Sequence, residues 1–215
     1  MPEGVMSFPP RFVVLLDGGF VIRNLRNRFR RFPTADDVVH LCESIGNHPE
    51  LKHLDLLRAY FYHAPPATGK IVNPLSGEKT DLSTTETHRR HRQLLDELEL
   101  RRDFAVRLGN IVTSGWRLGS QARKNLVRQQ RAIEGRDLVP HILQKGVDLR
   151  IGLDIARLAL GRMVSVIVVV TGDSDMVPAF KFARREGIRV YLEHLGHPVM
   201  RELKVHADRV LDIGI

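Results

Sequence analysis

Five aspartates stand where the chain's pattern gives carboxylates chemistry to do. Asp173 and Asp175 close the run Val164-Ser165-Val166-Ile167-Val168-Val169-Val170-Thr171-Gly172-Asp173-Ser174-Asp175. Asp17 closes a second run, Phe12-Val13-Val14-Leu15-Leu16, just before Gly18-Gly19. Asp148 and Asp154 lie in a third stretch, Lys145 to Leu160, where Asp154 interrupts the apolar positions Ile151, Ile155 and Leu158. Carboxylates brought together in water-poor surroundings repel one another. A divalent cation relieves that repulsion. Magnesium or manganese takes oxygen ligands, usually a few carboxylates with waters and substrate phosphates. Such ions activate water and stabilise the leaving oxygen in phosphodiester cleavage. Acids in this pattern point to metal-dependent hydrolysis of phosphodiesters.

The elements that must position them follow from the same stretches. Long β-branched runs read as buried parallel strands, covered by helices on both faces. Ligands of such sheets bind outside the carboxyl ends of the strands. Asp17, Asp173 and Asp175 are therefore predicted at the active edge of an α/β sheet. Lys145 to Leu160 predicts a helix entered after Gly146, with Asp148 in its first turn and Asp154 on its side. Six residues on a regular helix leave about 120° between the two, so they approach from different directions. Plainer roles are also open. Asp17 can shape a turn, and Asp148 and Asp175 each suit the positive end of a helix dipole. Asp154 has no such explanation beside an apolar stripe.

The rest of the pattern frames these stretches. Phe20 to Phe32 is basic and reads as a helix start, followed by Thr34 as an N-cap with Asp36 and Asp37 in the next first turn. Leu54 to His63 predicts a strand ended by Pro65-Pro66, and Ala67 to Leu82 a long surface loop. Ser83-Thr84-Thr85-Glu86 fits a capping box opening a helix to about Leu100. His88 and His91 on that helix are expected at the surface. Phe104 to Leu118 predicts one or two strands or a hairpin, with Gly109-Asn110 as its turn. Met176 to Glu186 predicts a helix with Pro178 in its first turn. A strand (Ile188 to Leu192), a short helix (Val199 to His206) and a last strand (Arg209 to Ile213) follow. The whole is expected to be one domain over 1–215, with about 65–144 as an elaboration between halves of one α/β unit.

The net charge of +8 favours a polyanionic partner such as nucleic acid. Arg23 and Arg26 after the first strand, Arg123, Lys124 and Arg128 in the basic segment Gln121 to Arg136, and Lys145 are candidates for holding phosphates. Trp116 is the candidate for stacking a base. The same segment reads equally well as solvated or disordered. No stretch approaches the roughly 18–20 apolar residues of a membrane span, so no membrane partner is expected. Met1 to Arg11 lacks the plan of a signal peptide. The single Cys42 excludes an internal disulfide and a Cys-based zinc site, and fits a reducing cytoplasm. Ser174 lacks a nucleophile-elbow pattern. A P-loop and a dinucleotide fingerprint are both missing. A homo-oligomer is left open.

Leu15-Leu16-Asp17-Gly18, Lys145-Gly146-Val147-Asp148 with Asp154, and Thr171-Gly172-Asp173-Ser174-Asp175-Met176-Val177-Pro178 together resemble the NYN domain, in its LabA-like bacterial branch. Asn73-Pro74-Leu75-Ser76-Gly77-Glu78 and Gly187-Ile188-Arg189-Val190-Tyr191 extend the resemblance over most of the chain. NYN domains are relatives of PIN-domain nucleases. The resemblance implies a PIN-like, Rossmann-like three-layer α/β/α sandwich with a mainly parallel central sheet. It implies a site dependent on Mg2+ or Mn2+, with ribonuclease activity. By motif, Asp17, Asp154 and Asp173 would be the core metal ligands and catalytic acids, and Asp148 and Asp175 would complete or flank the cluster. One position departs from the pattern. Many relatives carry Asn three residues after the first Asp, where this chain has Phe20, and Asn24 lies one helical turn beyond as a substitute.

The function expected from all this is an endoribonuclease in which a metal-activated water attacks phosphorus. A non-catalytic RNA- or protein-binding module on the same fold is the alternative. A phosphatase or nucleotide hydrolase using the same acids is a third, against which the long basic flanks argue.

Overall fold

The computed structural model describes residues 10–214. The first nine residues lie outside it, and with them most of the stretch read for a signal peptide. Strand β1 (Arg11–Asp17) runs straight into α1 (Gly18–Phe29), and α2 (Ala35–Gly46) follows. After β2 (Asp55–His63) comes a short hairpin of β3 (Lys70–Val72) and β4 (Lys79–Asp81). Then come α3 (Glu86–Glu99) and β5 (Phe104–Leu108). A longer hairpin pairs β6 (Asn110–Leu118) with β7 (Leu138–Lys145) and carries α4 (Ser120–Gln129) between them. The last third comprises α5 (Val147–Leu160), β8 (Val166–Val170), α6 (Val177–Arg185), β9 (Arg189–Glu193), α7 (Arg201–Val205) and β10 (Arg209–Leu211).

Six strands form one parallel sheet in the order β10-β9-β8-β1-β2-β5. Successive side chains of a strand point to opposite faces, and both faces here are apolar. Phe12, Val14 and Leu16 of β1 join Val166, Val168 and Val170 of β8 in one core, under α1, α2 and α3. Val13 and Leu15 join Ile167 and Val169 in the other, under α5 and α6. This is why β8 reads as an uninterrupted valine and isoleucine run. Burial on both sides removes the usual polar alternation, and all five of its residues are buried. The result is a three-layer α/β/α sandwich.

The chain leaves β1 toward β2 and β5 on one side, and builds β8, β9 and β10 on the other. Strand order reverses between β1 and β8, so the carboxyl ends of those two strands flank the crevice where such sheets bind ligands.

Several local expectations change. Ala67 to Leu82 is not a bare loop, because Lys70–Val72 and Lys79–Asp81 pair antiparallel within it. Ser83 does not cap α3. Leu82–Thr84 form a short 3-10 turn, and the hydroxyl of Thr85 accepts the His88 amide instead. Gly109-Asn110 is not a hairpin turn. β5 stays in the parallel sheet beside β2, while β6 leaves to pair with β7. Gln121 to Arg136 is largely helical, as α4, with none of that helix's residues buried. The span 65–144 is thus mixed: α3 and β5 belong to the sandwich, and the two hairpins stand outside it. No helix among the described residues is long and apolar enough to cross a membrane.

Candidate active site at the carboxyl edge of the sheet

Asp17 ends β1, and its carboxylate caps the next helix. Oδ1 accepts the Phe20 amide at 3.2 Å, which satisfies one of the first-turn N–H groups of α1. Oδ2 accepts the hydroxyl of Thr171, also at 3.2 Å. Thr171 is fully buried, just beyond the end of β8. The same hydroxyl oxygen accepts the Asp173 amide at 3.1 Å. The Asp173 carboxylate in turn accepts the Asp175 amide at 2.9 Å, starting the turn Ser174–Met176 that leads into α6. One continuous hydrogen-bonded path thus joins Asp17, Thr171, Asp173 and Asp175 across the crevice.

Asp148 approaches from the first turn of α5. Loss of hydration raises the Asp17 carboxyl above its ordinary range, and the negative fields of Asp148 and Asp173 add to this, against the hydrogen bonds from Phe20 and Thr171. Asp148 is also raised, by loss of hydration at its carboxyl and by Asp173 and Asp175. Four of the five aspartates therefore feel one another.

Asp154 makes its hydrogen bonds and ion pairs outside that path, to Tyr62, Arg107 and Arg157. It lies nearly two turns further along α5, about 9 Å of helix rise from Asp148. Both of its oxygens are engaged. The Tyr62 hydroxyl donates to Oδ2 at 2.8 Å, and Arg107 lies 3.6 Å from the same atom. Arg157 Nε donates to Oδ1 at 3.1 Å. An acid on an apolar stripe signals a special role, and here that role is to satisfy a buried phenol and join two arginines. Burial, followed by the Asp154 charge and hydrogen bond, pushes the Tyr62 hydroxyl pKa strongly up, so it remains a donor.

Phe20, in place of the usual Asn, packs on the acidic loop. A Cβ on Gly172 would lie 2.6 Å from Phe20 Cε2, so the ring fits only because residue 172 is glycine. The His197 ring meets Phe20 edge-on at 5.8 Å. Asn24 does not replace the missing amide, because its Nδ2 turns back to the Phe20 carbonyl at 2.8 Å.

The acids supply hard oxygen donors whose mutual repulsion a divalent cation would relieve. Among the described residues no three His, Cys, Asp or Glu side chains converge closely enough to hold a metal unaided. Magnesium does not require a closed protein cage: it keeps several waters and takes one or two carboxylates plus substrate phosphates.

The basic candidates are all exposed, on α1, on α4 at the end of the long hairpin away from α5, and at the end of β7. Arg23 and Arg26 are exposed on α1, and Arg123, Lys124 and Arg128 are exposed on α4. Lys145 is exposed at the foot of β7, three residues before Asp148. Trp116 is half-buried on β6 and lines a cleft beside the acids. His88 and His91 are not free surface histidines. Both are half-buried and line the same cleft. Sequence reasoning missed Thr171, His63 and Gln144 as neighbours of the site. Thr171 lies inside the motif that marks the resemblance, but a neutral hydroxyl draws less notice than the acids beside it.

The chain matches the NYN domain family over residues 80–214, more than half its length and including Asp148, Asp173 and Asp175; Asp17 and Phe20 precede the match. It has no significant match among curated proteins. A crystal structure of a protein of unknown function from Vibrio parahaemolyticus is similar across 96% of this chain and 95% of that one, with 15% identity and a TM-score of 0.54. At that identity the likeness concerns the fold. The chain belongs to the NYN domain family.

Proposed function

We propose that this protein is a Mg2+- or Mn2+-dependent endoribonuclease of the LabA-like branch of NYN domains. The observation that carries it is the hydrogen-bonded path from Asp17 through Thr171 to Asp173, at the crevice where strand order reverses, with Asp148 close enough to raise the Asp17 carboxyl. Asp17 and Asp173 would hold the metal together with waters and substrate phosphates, with Asp148 and Asp175 on their flank. When bound there, the ion supplies Lewis acidity toward the phosphodiester and an activated water. Thr171 orients the Asp17 carboxylate and holds the backbone that carries Asp173. Arg23, Arg26, Arg123, Lys124, Arg128 and Lys145 hold the phosphate backbone, for which the net charge of +8 gives a long-range attraction. Among the described residues, Arg123, Lys124 and Arg128 form no ion pair, whereas Arg131 is taken by Asp137 at 2.7 Å.

The test is a panel of single-stranded RNA, single-stranded DNA and nucleotides, each with and without Mn2+. We expect internal cleavage of RNA with metal, and loss of that cleavage in Asp173→Asn. Undiminished cleavage by that variant sinks the assignment. A second reading, a non-catalytic RNA-binding module on the same fold, is favoured by Phe20 in place of the usual Asn. It predicts RNA binding with no metal-dependent turnover.

A further inference from the structure

The two hairpins and α3 enclose a cleft of about 480 Å³ beside the acids. Ligand pockets commonly fall at about 300–1,000 Å³. The cleft is built from segments tied to one another. The Gly109 amide donates to the His63 carbonyl at 2.8 Å, and a Cβ on Gly109 would lie 2.8 Å from the Lys145 carbonyl oxygen. The long hairpin is therefore rooted between the end of β2 and the start of α5, next to Asp148. Its far side is fastened where Asn73 Nδ2 donates to the Gly135 carbonyl at 2.8 Å.

Gln144 joins the cleft to the acids. It lines the cleft, and its Nε2 donates to His63 Nε2 at 3.2 Å. A Cβ on Gly19 would lie 4.0 Å from Gln144 Oε1 and 3.5 Å from Asp17 Oδ1. The Gln144 end of the cleft therefore lies toward the first acid of the site.

The lining is aromatic and mostly uncharged, with Glu78 and Arg136 as its two charged residues. Nδ1 of His63, of His88 and of His91 each faces a backbone carbonyl, of Ala64, Ala67 and Thr87 respectively. A carbonyl only accepts, so each Nδ1 carries the proton and Nε2 is an acceptor in the neutral ring. Burial holds His63 neutral down to about pH 4 and lowers His91 as well. Trp116, Ile111 and Ile142 add apolar surface. Positive charge lies at Arg136 in the lining and, outside it, on α4 and at Arg26, whose field reaches His91. A flat, uncharged ligand with a polar edge and an anionic tail matches this arrangement. A nucleobase has that form, but inside a duplex its face and edge are already covered.

We propose that the cleft receives an unpaired nucleobase of a single-stranded polynucleotide, stacked against Trp116, on a strand that continues past Gln144 to the acids. The proposal rests on the nuclease reading for the role of the acids, but not for binding itself.

Trp116 is the only tryptophan in the chain and so reports on its own site. The full chain in EDTA is titrated with a short single-stranded RNA, a single-stranded DNA of the same sequence and the blunt duplex, following tryptophan emission. We expect saturable quenching by one or both single strands and at least about tenfold weaker binding of the duplex. By fluorescence anisotropy of a labelled single strand, Trp116→Ala should weaken binding about tenfold, and Trp116→Phe should retain most of the affinity. Circular dichroism confirms that both variants are folded, and the wild-type quenching needs no variant at all. No quenching by either single strand, equal binding of the duplex, or unchanged affinity in Trp116→Ala overturns the proposal. The two readings fail separately. Quenching without metal-dependent cleavage removes the nuclease and keeps the cleft, and cleavage without quenching does the reverse. The RNA and DNA arms identify the sugar that the site accepts.

Discussion

The hydroxyl of Thr171 lies 3.2 Å from Asp17 Oδ2, and this one contact joins the ends of two strands that are 154 residues apart in the chain. The same hydroxyl accepts the Asp173 amide, so one side chain fixes the Asp17 carboxylate and the backbone that carries Asp173. Hydrogen bonds that orient ligand carboxylates typically matter about 10–100-fold in metal affinity or activity. Thr171→Val should therefore lower metal-dependent cleavage by about that factor, and Thr171→Ser should recover much of it. Metal titrations of cleavage rate for the two variants check this. Equal rates in Thr171→Val and wild type would remove the positioning role.

Asp154 yields a contrasting prediction. Hydrogen bonds to charged groups contribute about 1.5–3 kcal/mol each. The Asp154 side chain is 16% exposed, and solvent screening reduces what its arginine contacts contribute. Asp154→Asn should lower unfolding free energy by about 1.5–3 kcal/mol, measured by denaturant titration, while the folded fraction still cleaves with metal. Stable protein that has lost cleavage would restore Asp154 to the catalytic group.

Phe20 and Gly172 are complementary in size. Phe20→Asn, which installs the residue common among relatives, should cost about 3 kcal/mol or more through the lost core ring, with no gain in activity. Gly172→Ala should cost about 1–3 kcal/mol by overpacking against that ring. Adding Phe20→Leu to Gly172→Ala should make the pair less than additive. Thermal melts of the two single variants and the double variant measure the coupling, and strict additivity would mean the two side chains do not meet.

Two buried groups give opposing pH dependences. Glu193 is buried, its Oε2 has no hydrogen-bond partner among the described residues, and burial raises its carboxyl from 4.5 to about 7. Between those values the folded chain keeps a proton that the unfolded chain has lost, so stability falls as pH rises through the window. Full ionisation corresponds to a loss on the order of 3 kcal/mol. His63 runs the other way. Burial lowers it from 6.5 to about 4, so stability is lost as pH falls through that window. Glu193→Gln should raise the melting temperature at pH 8 and leave the loss at acid pH in place. Melting curves from pH 4 to 9 test both signs, and an unchanged alkaline limb would mean that Glu193 ionises freely.

Much of the fold was legible because it is written in local patterns. The runs ending at Asp17 and Thr171 predicted buried parallel strands, and Val166–Val170 is buried throughout. Thr34 predicted its cap, and its hydroxyl accepts the Asp37 amide at 3.3 Å. Gly109-Asn110 misled, because a glycine beside a polar residue signals a turn but does not say which strand comes next. Only pairing partners distant in sequence send β6 away from the sheet. The long loop at Ala67 to Leu82 misled for the same reason, since strands of three residues are too short to show a period.

By itself, then, the sequence determined the α/β class, the strand ends carrying acids, and the basic character that favours a polyanion. These depend on side-chain type and spacing along one segment. The tertiary structure alone decided which acids meet. Asp148 joins Asp17 and Asp173 while Asp154, on the same helix, turns to Tyr62, Arg107 and Arg157. It also placed His63, Trp116 and Gln144 around one cleft. The physical reason is that repulsion and hydrogen bonding act over a few ångströms of space. Residues from β1, β2, β7, α5 and the end of β8 come within that range only once the sheet is assembled and the hairpin is rooted beside it.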